Sequence, residues 1–285
     1  MTRVAVLTDS ASDLTPEQAA AGNLSLVPLL VTFGEREFRA GVDMSADQFW
    51  AELTKPGAPF PKTAAAAPGT FRDAFAGLFA QGADEIVYVG VGSKLSATLQ
   101  SAQVAREMLD DKPIRIVDSE SATLGQGVLA LAAGALVAAG ASSDEIVSAI
   151  ERRRSSLSLY LVLDTLEYLK RGGRISAAQA AIGSVLSVKP IITIENGVVE
   201  TADRPRTRSK ARARLLELYE PVQGNAERVA ILHGQAPEVE QFADELAASL
   251  RFPREEMTFN LVGASVGPHV GPGAYGAVVL PRADA

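Results

Sequence analysis

The 285-residue chain has no cysteine, only two histidines and a single tryptophan. Without thiols there are no disulfides, thiolate nucleophiles or thiolate metal ligands, and a cytoplasmic address is the natural expectation. The histidines, His233 and His269, show no H-x-H or H-x-x-x-H spacing, so no metal site is expected, although a carboxylate-only magnesium site stays compatible with the composition. Phosphate-binding motifs are also missing. "GVGSKL" from Gly90 lacks the third glycine of a dinucleotide fingerprint, and neither a P-loop nor a G-x-S-x-G elbow occurs. A positive charge excess is absent too: the net charge is −7, which argues against sequence-wide attraction to nucleic acid or anionic membranes. The most apolar long stretch, Ala122 to Ala141, is alanine-rich, is broken by Gln126 and glycines, and has no aromatic or basic flanks. It reads as a buried helix, so no integral membrane segment is expected. The N-terminus reaches Asp9 and Ser10 too soon for a secretory signal and reads as a strand.

What is present is the composition of a folded soluble protein, 47% hydrophobic and 21% charged, with length enough for two lobes. Val4 to Leu7 is a buried-strand run, followed by the polar turn "TDSASD" and then Thr15, Pro16 and Gln18 in the order of an N-cap, first helical residue and capping box. Strand, polar turn and helix open a βαβ unit. "LSLVPLLVTF" is strand-like with a break at Pro28. "PGTFRDAFAGLFAQG" is a helix with Phe71, Phe75, Leu78 and Phe79 on one face, and "EIVYVGVG", "SATLQSAQVAREML" and "IRIVDS" continue as strand, helix, strand. Each strand ends in small polar residues: Thr8-Asp9-Ser10, Ser93 with Ser96, and Asp118-Ser119. Ligands of open parallel sheets bind outside the carboxyl ends of strands, so these clusters are expected to converge on one crevice.

A capping box at Ser142 and Glu145 starts another helix, after which the texture changes. Further strands appear in "SLYLVLDTL", "KPIITIENGVVETADRPRT", "RVAILHG" and "MTFNLVG…GAYGAVVL", with Glu195-Asn196-Gly197 as a hairpin turn. The fold class expected is α/β and two-lobed: a parallel-sheet N-terminal lobe over residues 1–154 and a mixed-sheet αβ lobe over 155–285, with a ligand tunnel between them.

His269 sits in "GASVGPHVGPGAYG", where glycines allow a loop to cradle an anionic oxygen with its amides; the alternative is a tight turn with an exposed imidazole. His233 reads as a sheet-end residue without a role. A Ser/His/Asp hydrolase of Ser96, His269 and Asp9 is conceivable, though no spacing requires it. Arg208 with Arg212, and Lys210 with Arg214, are like-charge i,i+4 pairs near a helix start, where the macrodipole also disfavours cations. That arrangement reads either as a solvated face or as a docking surface for an acidic partner; DNA binding through Arg204 to Arg214 fits poorly with the acidic whole. Arg171 and Arg174, around the glycine pair of "KRGGRIS", form a helix stop or an anion clamp.

The stretches "TDSASDL", "VPLLVTF", "KTAAAAPGTF", "SKLSATLQSA", "VDSESATLGQG", "LDTLEYLKRGGRISAAQAAIGSVLSVKPI", "RTRSKA" and "VGPHVGPGAYG" resemble, in order and as one unit from about residue 3 to residue 282, the DegV family of bacterial fatty-acid-binding proteins. The resemblance implies that one long-chain fatty acid is the ligand, its carboxylate at the lobe interface and its tail in an apolar tunnel. It implies no other cofactor, no catalysis by the chain itself, and a separate fatty acid kinase as partner. The family's Thr-Ser-Gln-Pro-Ser-Pro-Gly segment corresponds to Thr63-Ala64-Ala65-Ala66-Ala67-Pro68-Gly69, so the ligand-binding threonine carries over to Thr63 while the neighbouring serine has become Ala64. The second carboxylate ligand carries over to Ser96. His269 and Arg174 match positions near the headgroup or phosphoryl end, and Arg206 or Arg208 lies in the region linked to kinase contact. The competing reading is a small-molecule hydrolase or acyltransferase using Ser96 with His269.

Overall fold

The computed structural model describes residues 2–109, 111–175 and 188–283, so residues 176–187 of the "GGRISAAQAAIGSVLS" block lie outside the described residues. The chain begins with β1 (Val4–Asp9), α1 (Pro16–Ala21) and β2 (Leu24–Val27). The capping box at α1 forms as the sequence predicts: Thr15 accepts from the Gln18 amide and the Gln18 side chain accepts from the Thr15 amide. Pro28 then separates β2 from β3 (Leu30–Phe33), and the two strands join different sheets because the proline cannot extend either ladder. β4 (Arg36–Arg39), α2 (Ala46–Leu53) and β5 (Lys62–Ala64) follow. The small antiparallel sheet β4-β3-β5 pairs Val31 with Thr63.

The chain next alternates α3 (Pro68–Ala80), β6 (Glu85–Gly90), α4 (Thr98–Glu107), β7 (Ile114–Asp118), α5 (Thr123–Ala138) and α6 (Ser143–Arg154). β2-β1-β6-β7 is the expected parallel sheet. Its strands are buried on both faces, as the continuous apolar runs require. Leu7, Ile86 and Tyr88 face a cluster with Phe71, Phe75 and Ala102 of α3 and α4, whereas Val6, Val87 and Val89 belong to the core built around Leu124, Val128 and Ala132 of α5. The Tyr88 ring packs edge-on to Phe71 and Phe75 at 5.2 and 6.4 Å.

The second large sheet is built from β8 (Ser158–Val162), β9 (Ile191–Glu195), β10 (Val198–Asp203), β11 (Ala226–His233), β12 (Thr258–Leu261) and β13 (Tyr275–Pro281). Its order is β10-β9-β8-β13-β11-β12, antiparallel except for the β11/β12 pair, so it is mixed as expected. The Asn196-Gly197 turn joins β9 to β10 with φ of 50° and 76°, a conformation that glycine and asparagine tolerate. α7 (Glu167–Arg171), α8 (Arg208–Leu218), α9 (Val239–Leu250) and α10 (Gly267–Val270) complete the described elements. Alternation again divides the faces. Leu159, Leu161, Val278 and Leu280 share the core of α5, while Val162, Ile191, Ile231 and Val279 pack on Leu215 of α8 and Phe242 of α9. α5 is thus buried between both sheets, and no helix among the described residues is long and apolar enough to cross a membrane.

Candidate ligand-binding site

An apolar cavity of about 320 Å³ opens where the two large sheets meet, within the size range of small-molecule sites. One wall is the inner face of the second sheet, with Leu159 and Leu161 of β8, Ile192 and Ile194 of β9 and Val199 of β10. The register brings Leu161 beside Ile192 and Ile194 beside Val199, so period-two alternation produces a continuous apolar surface. Facing it are Val91, Leu95 and Ala122 from loops at the carboxyl ends of the first sheet's strands. The alanine run contributes Ala64 and Ala65 to the lining and Ala66 to the core.

Thr63, Ser96, Arg174 and His269 all line this one cavity, although they come from β5, the loop before α4, the segment after α7, and α10. Thr63 is carried in by its sheet. α2 anchors that sheet to the second one, since Trp50 is fully buried and its Nε1 donates to the Val262 carbonyl at 2.7 Å. Thr63 Oγ1 then lies 3.1 Å from His269 Nε2. Burial first, and the nearby Arg174 cation second, push the His269 pKa down to about 4, so the ring is neutral at neutral pH. Gly172 is required for this approach: a β-carbon there would sit 2.2 Å from His269 Nδ1.

Arg174 donates from Nε to the Leu95 carbonyl at 3.0 Å and from Nη1 to the Gly172 carbonyl at 2.7 Å. These bonds fix the guanidinium at the cavity wall. Ser96 Oγ accepts from the Thr98 amide at 3.2 Å and shares a hydrogen bond with Thr98 Oγ1 at 2.8 Å, which locks the entry to α4. An open pocket of about 550 Å³ adjoins the cavity through Leu95, Ser96, Ala97, Arg174 and Val199, and adds Lys94 and Gln100. The polar end of the cavity therefore meets a vestibule carrying positive charge.

Several sequence expectations are corrected here. Asp9 does not face the crevice: it is fully buried and accepts from Tyr88 OH (2.6 Å), Gln126 Nε2 (2.9 Å), and the amides of Ala11 (2.9 Å) and Val91 (3.2 Å). Asp118 likewise accepts from the Ser93 and Glu120 amides. The strand ends converge, but their carboxylates tie loops together. His269 is not in an open anion-binding loop either. Residues 267–270 wind into α10, and the amides of Gly267, His269, Gly271 and Gly273 are consumed by backbone carbonyls. No Ser/His/Asp triad forms among the described residues: His269 bonds Thr63, Ser96 bonds Thr98, and Asp9 belongs to the buried network. His233 ends β11 with its ring 5.3 Å from Phe259, away from the cavity lining.

Arg208 is also more internal than its helix position implies. It pairs with Asp164 and Glu238 and donates to the Gly273 carbonyl at 2.9 Å, which offsets the unfavourable charge at the start of α8. Arg212 pairs with Glu245 at 3.0 Å and Arg214 with Asp203 at 2.7 Å, whereas Arg206 is exposed. The sequence reading missed two lining residues, Thr123 and Ser265. Each is a small polar residue beside an alanine, and only its three-dimensional position distinguishes it. Among the described residues no group of three or more His, Asp or Glu side chains could hold a metal ion.

Comparison with known proteins gives a consistent result. The family model described as "Uncharacterised protein, DegV family" matches residues 3–282. A DegV domain-containing protein of Caldanaerobacter subterraneus is 35% identical over 280 residues, 97% of this chain and 98% of that protein. A solved structure from Thermus thermophilus, described as fatty acid binding of a DegV family protein, has a TM-score of 0.91 at 31% identity and covers 99% of this chain and 100% of that one. A stearic acid-binding protein from Eubacterium ventriosum has a TM-score of 0.89 at 26% identity and covers 99% and 98%. Matches to sequence and to structure both extend over nearly the whole length, and the chain belongs to the DegV family.

Proposed function

We propose that the protein binds one long-chain fatty acid, with the carboxylate on Thr63 and Ser96 and the tail along the inner face of the second sheet. The observation that carries this reading is the mixed lining of the cavity, apolar along β8–β10 and equipped elsewhere with hydroxyls, a neutral imidazole and one guanidinium. The fatty acids bound by its structural relatives support the same ligand class. Burial of an acyl chain yields about 0.8 kcal/mol per methylene, so a tail of about fifteen gives roughly 12 kcal/mol gross before the costs of association. A carboxylate buried without donors would forfeit several of those. Arg174 supplies charge balance beside the two hydroxyls, and His269, also in the lining, is hydrogen-bonded to Thr63.

In this reading the protein is a carrier, cytoplasmic and without catalysis of its own, that presents the acid to a fatty acid kinase for acyl phosphate formation. The vestibule with Lys94 and Arg174 is the route by which phosphoryl chemistry reaches the carboxylate, and Arg206, with Arg208 at its base, is the docking candidate. Residues 1–154 and 155–285 act as the two lobes that enclose the ligand. The test is native mass spectrometry of the purified protein, followed by denaturing extraction and identification of what it carries. One long-chain fatty acid per chain, released unchanged, supports the carrier. An empty protein that fails to bind added fatty acids, or turnover of an added ester in excess, overturns it.

A further inference from the structure

Hydrogen-bond accounting in the cavity leaves one group unused by the proposed function. Ser265 lines the cavity and is 7% exposed. Its Oγ lies 2.8 Å from Ser10 Oγ, and Ser10 Oγ also accepts from the Leu29 amide at 2.9 Å. Two hydroxyls bring two protons, and the bond between them uses one. When Ser10 donates to Ser265, the Ser265 proton has no acceptor among the described residues and is available to a ligand, whereas Ser10 itself does not line the cavity. Ser96 is likewise paired to a second hydroxyl, Thr98 Oγ1, which consumes one of two protons, although there the amide donor reaches the lining serine and here it reaches the backing Ser10. Ser265 is thus, like Ser96, a cavity-lining serine paired to a second hydroxyl.

Its chain neighbours lead to Thr63 and His269 of the same lining. Leu29, held by Ser10, precedes β3, where Leu30 is paired with Ala64 beside Thr63. On its other side Ser265 is followed by Val266 and the turn of α10 that carries His269 to Thr63. Ala64 and Ala65 line this region without a side-chain donor. A carboxylate has about four acceptor positions, more than Thr63 and Ser96 can fill.

The geometry points to Ser265, backed by Ser10, as a third hydroxyl donor to the carboxylate of the bound acid. This inference rests on the carrier reading. Its test compares the affinities of wild type and Ser265→Ala for palmitic acid and for hexadecanol, which has the same tail without a carboxylate, with thermal unfolding as a control of the fold. The expected result is an approximately tenfold loss for the acid, the size of one hydrogen bond to a charged group, and a change of less than about threefold for the alcohol. Equal losses for both ligands would mean that Ser265 only shapes the cavity, and no loss for either would mean that it contributes nothing; each overturns the inference while leaving the carrier reading intact. Failure of the wild type to bind either ligand overturns both. Ser265→Cys, which keeps the volume and replaces the hydroxyl by a weak donor, carries the same comparison should the alanine variant not fold.

Discussion

Two polar clusters lie beside the cavity, one at the carboxyl ends of the first sheet's strands and one gathered from all three sheets, and they differ in what they leave over. Around Asp9, four donors converge on one fully buried carboxylate, and Asp13 nearby accepts from Thr123 Oγ1 at 2.5 Å and from the Gly263 amide at 2.9 Å. Burial raises both carboxyl pKa values, to about 7 for Asp13. Around Thr63, Ser96 and Ser265, each hydroxyl has one neutral side-chain partner in place of a charge, so these clusters hold fewer bonds than the Asp9 carboxylate. Polar residues at a strand end are thus not in themselves a binding site. A satisfied cluster fastens loops together, and only an incompletely satisfied one that lines a cavity can recognise something else.

Breaking the first cluster has the largest effect. Asp9→Ala strands Tyr88 OH, the Gln126 amide and two backbone amides, and is expected to cost about 3–4 kcal/mol of stability, read by chemical denaturation without ligand. Asp13 gives a pH signature. Its folded-state pKa of about 7 lies above the ordinary 3.8, so the associated stability is complete below the ordinary value and is lost as pH rises through about 7. Asp13→Asn should flatten the stability profile between pH 5 and 8 by about 2–3 kcal/mol relative to wild type. An unchanged profile would show that the carboxyl titrates normally.

In the second cluster the expectation reverses. Thr63→Ala and Ser96→Ala should each weaken fatty acid binding by about tenfold, with unfolding midpoints nearly unchanged, as titration with a long-chain acid would measure. The smallest effect belongs to Arg206→Ala, expected within about 0.5 kcal/mol of wild-type stability because the side chain is exposed. If the docking proposal holds, the same variant lowers acyl phosphate formation by an added kinase; Arg208→Ala, in contrast, leaves Asp164 and Glu238 without their shared cation and lowers stability as well.

The contrast also explains what could be read from the sequence. Capping at Thr15 and Ser142, the break at Pro28 and the Asn196-Gly197 turn are local, and each formed as its neighbours dictate. The convergence of Thr63, Ser96, Arg174 and His269 followed from resemblance rather than from spacing, since Thr63 and His269 are 206 positions apart. Which strand-end residues were spoken for could not be seen. Asp9 meets Tyr88 across 79 positions and Arg208 meets Glu238 across 30, and a long-range partner leaves no periodic trace in either segment. The turn of α10 was hidden for another reason: a run of glycines and prolines allows both a loop and a short helix, and Gly267 packs closely against Phe49, 218 positions away in sequence and thus invisible to local patterning.

The most direct measurement is a crystal structure with palmitic acid bound. The account predicts the carboxylate within hydrogen-bonding distance of Thr63 Oγ1 and Ser96 Oγ, and the tail against Leu159, Leu161, Ile192 and Ile194. A carboxylate placed against the Asp9 and Asp13 network, or a chain lying outside this cavity, would contradict it.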